Sequence, residues 1–508
     1  MSGSARRSPA AAYLASRTRF GIKFGLEAMQ GLMETLGHPQ TAFPTLLIAG
    51  TNGKGSVAAY TDAALRAAGL RCGRYTSPHL VRVNERITVG GEEIGALALE
   101  AAVEEVRRAA RRLVRTGALS AHPTFFEAVT AAAFVHFREK AVEVAVLEVG
   151  MGGRLDATNV SEPLASAIVT VDKDHEKYLG STLGAIAAEK AGVLRPGRVT
   201  VLGAMAPEAS IAILREADRI GASCVDAFEG TTVEPSTGGL RVRTARGERV
   251  VATLPGRHQQ DNAVVAWRLL EEAAAAGLPV DLARSAHGFA DARWPGRLQR
   301  IDGRPRVLLD GAHNASGAAA LGEALRGEPP FVLMFGAMAD KDVAAIGRLL
   351  FPLAQAVVVT QAPGQRAATP VDIVARVGPV APPVRREPGV ARALALAGRL
   401  AGPDGLIVVA GSLYLVGDVL RRMESTSLHT AARDPDARVA GGPVFTRRPV
   451  AAKAAGARPA SDGPRASSPP ARERNPVPGR TNRADSSRAR AASPRPPASR
   501  GRRDRGRR

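Results

Sequence analysis

The stretch TLLIAGTNGKGSVAAYTDAAL, Thr45 to Leu65, constrains the fold more than any other. An apolar run of strand length stops at a bend of small residues, and a helical pattern starts at Lys54. Such a strand–bend–helix unit converges backbone N–H groups and the positive end of a helix dipole on one point, which suits a phosphate. Gly53, Lys54, Gly55 and Ser56 are the expected phosphate-binding residues. Lys54 can reach a terminal phosphate, and the Ser56 hydroxyl can meet phosphate or a metal-bound water. The commonest phosphate loop has a glycine where this chain has Ile48. The bland alternative is a glycine-rich turn with a solvated lysine. The strand before and the helix after favour a nucleotide, with ATP the expected one.

Further apolar runs alternate with helical patterns. EVAVLEVG (143–150) and ASAIVTV (165–171) have strand length, and residues 97–115 and 124–137 carry helical spacing. Alternation of this kind predicts an α/β fold with a mostly parallel sheet covered on both faces. After ARWPGRLQRIDGRPR (292–306), four more strand candidates, PRVLLDG, FVLMFGAM, AQAVVVTQ and GLIVVAGS, make a smaller Rossmann-like α/β unit. The expected organisation is a frayed start over 1–17, an ATP-binding domain over 18–293, a smaller domain over 294–424 and a disordered tail over 425–508.

The formal net charge of +21 resembles a nucleic-acid signature, but its distribution argues otherwise. Residues 425–508 hold 20 Lys+Arg and 6 Asp+Glu, leaving 49 basic against 42 acidic residues elsewhere. The tail is rich in Pro, Ala, Ser and Arg and too poor in large apolar residues to offset the entropy of ordering. A solvated extension is favoured over an RNA-binding arm, because no aromatic residues interleave with the charge. Two cysteines, Cys72 and Cys224, give no disulfide framework and fit a reducing cytoplasm. No apolar run reaches the length needed to span a bilayer.

Several polar residues fall where the sheet should end. Glu148 closes an apolar strand, a costly place for a carboxylate unless it is paired or binds a cation. It is the candidate magnesium ligand, with a pair to Arg154 as the competing reading. Asp174 and His175 follow the next strand. Ser77 and His79 flank a proline after a short strand, in a loop that also holds Arg82, Asn84, Glu85 and Arg86. His258, Gln259 and Asn262 stand at a helix start, and Asp310 and His313 end a strand. Capping chemistry would also explain the Asp and Asn residues.

Together GTNGKGS, TSPHL, PTFFEA, LEVGMGGRLDATN, DHEKYLG, EKAG, HQQDNA, PGRLQ, LLDGAHN and GSLYLVGD resemble the folylpolyglutamate synthase/dihydrofolate synthase family, a branch of the Mur-type ATP-dependent amide ligases. The motifs run in family order over roughly residues 18–422, and the altered phosphate loop is a family trait. The resemblance implies that Ser77, Glu148 and His175 hold magnesium, with two ions expected. It implies that Lys190 is carbamylated, that Asn262, Arg297 and Asp310 contact ATP, and that Thr124, Phe125, Phe126, Glu127, Leu155, Asp156 and Ala157 line the pterin site. His313 and Ser412 would meet the incoming glutamate. Dihydropteroate, reduced folates and L-glutamate are the implied substrates, and a monomer the implied state. The implied chemistry is attack of a carboxylate on the ATP γ-phosphate, then attack of the glutamate amine on the acyl phosphate. A polyglutamylation-only ligase is the near alternative. A nucleic-acid-stimulated NTPase is the distant one, and it leaves Glu148, His175 and DGAHN without a role. Lys173 and the tail depart from the family pattern.

Overall fold

The computed structural model describes residues 9–17, 25–236, 239–244, 247 and 249–433. An eight-stranded sheet forms the first lobe. Its strands are β1 (Thr45–Ala49), β2 (Cys72–Tyr75), β3 (Ile87–Val89), β4 (Glu92–Glu93), β5 (Val144–Glu148), β6 (Pro163–Ile168), β7 (Val199–Leu202) and β8 (Ser223–Asp226). The order is β4-β3-β2-β5-β1-β6-β7-β8. The six strands from β2 to β8 pair in parallel, and β3 and β4 turn antiparallel at one edge.

Side-chain alternation explains why β1 and β5 read as unbroken apolar runs. Leu46 and Ile48 enter a core with Tyr60, Trp267 and Phe289, whereas Leu47 and Ala49 enter a core with Phe134 and Phe137. Successive residues of a strand face opposite sides, so a sheet covered on both faces needs apolar residues at every position. Helices Lys54–Ala67 and His258–Ala275 supply one cover, and Phe125–Glu139 belongs to the other.

The second lobe is a six-stranded sheet of β12 (Gln299–Ile301), β13 (Arg306–Leu309), β14 (Phe331–Phe335), β15 (Ala356–Val359), β16 (Val384–Arg386) and β17 (Leu406–Ala410), in the order β12-β13-β17-β14-β15-β16. The four expected strands are its centre. β12 and β16, three residues each, are edges too short to read from sequence. A three-stranded antiparallel sheet of β9 (Thr232–Ser236), β10 (Gly239–Arg243) and β11 (Arg249–Ala252) was not expected from the sequence.

Two described helices cross the bounds expected from composition. Residues 9–17, expected in a frayed start, form helix Pro9–Arg17. Ala10 and Leu14, one turn apart, are buried, and the Ala10 N–H donates to Glu100 Oε1 at 2.8 Å. The last helix, Leu413–Arg433, runs past residue 424, where the tail was expected to begin. The next helix breaker is Pro435. The rest of the tail, and with it the expectation of disorder, lies outside the described residues. Among those residues no helix is long and apolar enough to cross a membrane.

Candidate active site

The carboxyl edge of the large sheet, where open α/β sheets take their ligands, opens into a cavity of about 330 Å³. The phosphate loop leaves β1 here. Gly50 has φ +148° and Gly53 φ +83°, both in the region that favours glycine. A side chain at Gly53 would also collide with Asn262, whose Oδ1 lies 2.3 Å from the site of a Cβ. The loop is tied to the strand beside it: Thr51 N–H donates to Thr170 O at 2.9 Å and Asn52 N–H to Thr170 Oγ1 at 3.0 Å. Lys54 folds over the loop, its Nζ donating to Gly50 O at 3.0 Å and Thr51 O at 3.1 Å. Burial lowers its pKa, against the opposing pull of Glu148.

Glu148 ends β5 and is 4% exposed. It is not paired with Arg154, which bonds Glu189 at 2.7 Å. Its Oε2 accepts the Ser77 N–H at 2.9 Å, just beyond the neighbouring strand β2. Burial raises its carboxyl above the usual range, with the Lys54 charge opposing. Its Oε1 has no hydrogen-bond partner among the described residues, and the side chain lines the cavity. A buried carboxylate with one oxygen open, beside a serine and a phosphate loop, fits a hard divalent cation that shares its shell with phosphate oxygens. Among the described residues no group of three His, Cys, Asp or Glu side chains is placed to hold a metal ion unaided, so phosphate and water oxygens would complete such a shell. His175 lies at the same edge, with φ +53° and burial lowering its pKa to about 4. Its neighbour Lys173 is exposed.

Lys190 is 2% exposed, on helix Leu183–Ala191. Burial, helped by the Lys54 charge, pushes its pKa down to about 7. The helix can lie this deep because Gly153 offers no side chain; a Cβ there would stand 2.8 Å from the Lys190 carbonyl oxygen. Nothing in the residue sequence alone distinguishes this lysine from one that reaches solvent.

The cavity gathers Gly53 to Ser56, Ser77, Glu148, His175, Lys190, Asn262, Arg297, Asp310 and His313. Thr124 to Glu127, Leu155 to Ala157 and Ser412 lie outside its lining. Several expected ligand contacts have local duties. Asp310 accepts the N–H groups of Leu298 and Ala312, each at 2.9 Å. Asp156 accepts Met151 N–H at 3.0 Å on one oxygen and Thr158 on the other, stapling the glycine loop. Thr124 and Glu127 cap helix Phe125–Glu139 reciprocally. Phe126 packs where a Cβ on Gly150 would be, 2.5 Å away. Ser412 Oγ accepts the Tyr414 N–H at 3.2 Å, and the His313 ring bonds Gly311 O at 2.8 Å. Arg297 is half-buried, and desolvation lowers its pKa against the attraction of Asp310.

Sequence reading missed two features. Trp294, in the linker between the lobes, lines the cavity and packs its ring against Gly55. Asp174 joins the lobes through Lys341 and Asn314. The tryptophan beside Pro295 and the Asp–Lys–Asp run at residues 340–342 were visible, but their partners are distant in sequence.

Comparison with known proteins agrees with this geometry. Residues 48–270 match the Mur ligase middle domain, and residues 296–413 match the Mur ligase glutamate ligase domain. The dihydrofolate synthase/folylpolyglutamate synthase of Bacillus subtilis is 32% identical over 82% of this chain and 98% of its own. A probable bifunctional folylpolyglutamate synthase/dihydropteroate synthase of Halobacterium salinarum is 37% identical over 84% of this chain, which spans only about half (52%) of that longer relative. The structure of E. coli FolC in complex with DHPP and ADP superposes with a TM-score of 0.73 at 30% identity, covering 83% of this chain and 99% of that one. A bifunctional folylpolyglutamate synthase/dihydrofolate synthase with Mn, AMPPNP and L-glutamate bound gives 0.72 at 28% identity, covering 82% and 98%. A phosphate loop and a buried carboxylate under a second α/β lobe, together with this likeness along nearly the whole described chain, place the protein in the folylpolyglutamate synthase/dihydrofolate synthase family of Mur ligases.

Proposed function

We propose that this chain is an ATP-dependent carbon–nitrogen ligase that adds L-glutamate to dihydropteroate and to reduced folates. One observation carries the reading: the phosphate loop of β1, Glu148 of β5 and Ser77 after β2 stand side by side on one sheet edge, facing Arg297 of the linker and Asp310 of the second lobe. The relatives add support. One is bound to DHPP and ADP and another to Mn, AMPPNP and L-glutamate.

In this reading the backbone of Gly53 to Ser56 cradles the ATP phosphates, and Lys54 swings from its own loop onto the γ-phosphate. Glu148, Ser77 and His175 are the residues that would hold magnesium, which when bound would withdraw charge from the phosphoryl group. An acceptor carboxylate oxygen attacks the γ-phosphorus as the bond to ADP breaks, giving an acyl phosphate. The neutral amine of glutamate then attacks the carbonyl carbon, phosphate leaves, and the amine gives up a proton. Arg297 and Lys54 offset charge on the transferring group, and closure of the lobes keeps water from the acyl phosphate. Lys190 is the residue we assign to carbamylation. A lysine with its pKa near 7 carries much neutral amine at neutral pH, the form that reacts with CO2. The enzyme is taken as a cytoplasmic monomer.

The test is phosphate release from the purified protein with ATP, magnesium and L-glutamate, using dihydropteroate or tetrahydrofolate. Glutamate-dependent release with both acceptors is expected. Release with tetrahydrofolate alone would reduce the function to polyglutamylation, and release with neither would exclude a folate ligase.

A further inference from the structure

Arg86 has a property that the reaction above does not use. It is 7% exposed, yet no carboxylate lies within ion-pair distance of its guanidinium among the described residues. The nearest acid in sequence, Glu85, is occupied by the N–H groups of Leu80, Val81 and Arg82. What surrounds Arg86 is neutral. Its Nε donates to His79 Nδ1 at 2.9 Å, which places the imidazole proton on Nε2. The Phe125 ring lies against the guanidinium at 5.2 Å, and the Tyr75 hydroxyl stands beside it. Removing a cation from water without a counter-charge is costly, so a buried guanidinium whose partners are a neutral imidazole, a phenol hydroxyl and a ring is suited to an anion that arrives with a ligand.

Its place on the sheet indicates which anion. Arg86 directly precedes β3, and its carbonyl accepts the Thr76 N–H at 3.0 Å. Along the carboxyl edge the sequence of elements is phosphate loop on β1, Glu148 on β5, Ser77 after β2, then Arg86. At roughly 4.8 Å between strands, Arg86 starts about 10 Å from Glu148 and about 14 Å from the phosphate loop. The carboxylate that attacks ATP must lie against the phosphate loop. A second carboxylate, a few bonds back along a glutamyl group, falls toward Arg86, on the side where Phe125 and Phe126 stand.

We propose that Arg86, with the His79 Nε2–H, binds the α-carboxylate of acceptors that already carry glutamate. This rests on the folate-ligase reading and deepens it. Dihydropteroate has only the carboxylate that reacts, whereas tetrahydrofolate has a second one. Arg86 therefore separates the two activities at the level of acceptor binding.

The experiment compares R86Q and R86K with the wild type in phosphate release, with each acceptor. R86Q should raise KM for tetrahydrofolate by about 10- to 100-fold, the range for losing a charged hydrogen-bonded contact, with KM for dihydropteroate changed less than about threefold. R86K, which keeps the charge and loses the fork, should fall between. Equilibrium binding of pteroate and folate to the same proteins reads the same split without turnover, and ADP binding checks that each variant is folded. Equal loss with both acceptors, or no change with either, overturns the proposal. A wild type with no glutamate-dependent release would instead sink the ligase reading, a different result from an unsplit R86Q.

Discussion

Asp174, in the loop after β6 of the first lobe, forms an ion pair with Lys341 of the second. Asn314 Nδ2 also donates to Asp174 Oδ2 at 3.2 Å and to Asn52 Oδ1, next to the phosphate loop, at 3.0 Å. Burial would raise the Asp174 carboxyl, but the nearby His313 ring and the Lys341 charge outweigh it and hold it below the ordinary carboxylate range. A carboxyl depressed in the folded state adds stability above its unfolded pKa of about 3.9 and loses it as pH falls through the folded value. We expect D174N and K341M each to lower turnover by about tenfold or more through misplacement of the second lobe. The double variant should be little worse than either single one, because both break one contact. Additive losses would mean that the two residues act separately.

Gly55 and Trp294 make the next prediction. A Cβ on Gly55 would sit 2.3 Å from Trp294 Cζ2, so G55A has to push the indole away from the phosphate loop. G55A should weaken ADP binding by about tenfold, and W294A should restore part of it by making room. Trp294 and Trp267 are the two tryptophans of the chain, and Trp267 is buried in the core. In W267F, ADP should therefore still change the fluorescence, and in W294F it should not. A signal retained in W294F would show that the nucleotide leaves the linker undisturbed.

Asp310 separates two roles that the sequence had merged. Both of its oxygens accept backbone N–H groups, one from Leu298 in the linker and one from Ala312. Removing them in D310A leaves buried donors without partners, at about 1–3 kcal/mol. Thermal unfolding of the ligand-free protein should register that loss. An unchanged ligand-free midpoint with weaker ATP binding would instead make Asp310 chiefly a direct nucleotide contact.

The legible part of the molecule is the part whose logic is local. β1 and β5 are apolar at every position because both of their faces are covered, and the phosphate loop announces itself by glycines between a strand and a helix. Glu148 stood out because a carboxylate at the end of such a strand requires a reason. The roles of Asp156, Asp310, Thr124 and Glu127 were less legible. Backbone donors and ligand atoms ask for the same acceptors, and only the folded chain decides between them. Lys190 was nameable by resemblance alone, since its burial comes from a glycine loop some forty residues earlier that lets the helix approach. β9 to β11 were missed because their short strands alternate weakly and pair only with one another.

Lys190 supplies a pH-dependent prediction. Burial lowers its pKa to about 7, against roughly 10.4 in an unfolded chain. Between those values the unfolded state binds more protons than the native one, so the unmodified lysine makes stability rise with pH. Below about pH 7 both states are protonated and the full cost of burying the charge is present. The stability gained from pH 7 to pH 10 in chemical denaturation should be smaller in K190M than in the wild type without CO2. Added bicarbonate should remove the difference in slope by converting the amine to a carbamate, and peptide mass spectrometry of gently handled protein should find the adduct on Lys190. A wild type and K190M with the same slope in the absence of CO2 would show that the ammonium is solvated in the free enzyme, and the carbamate would then need another source of a neutral amine.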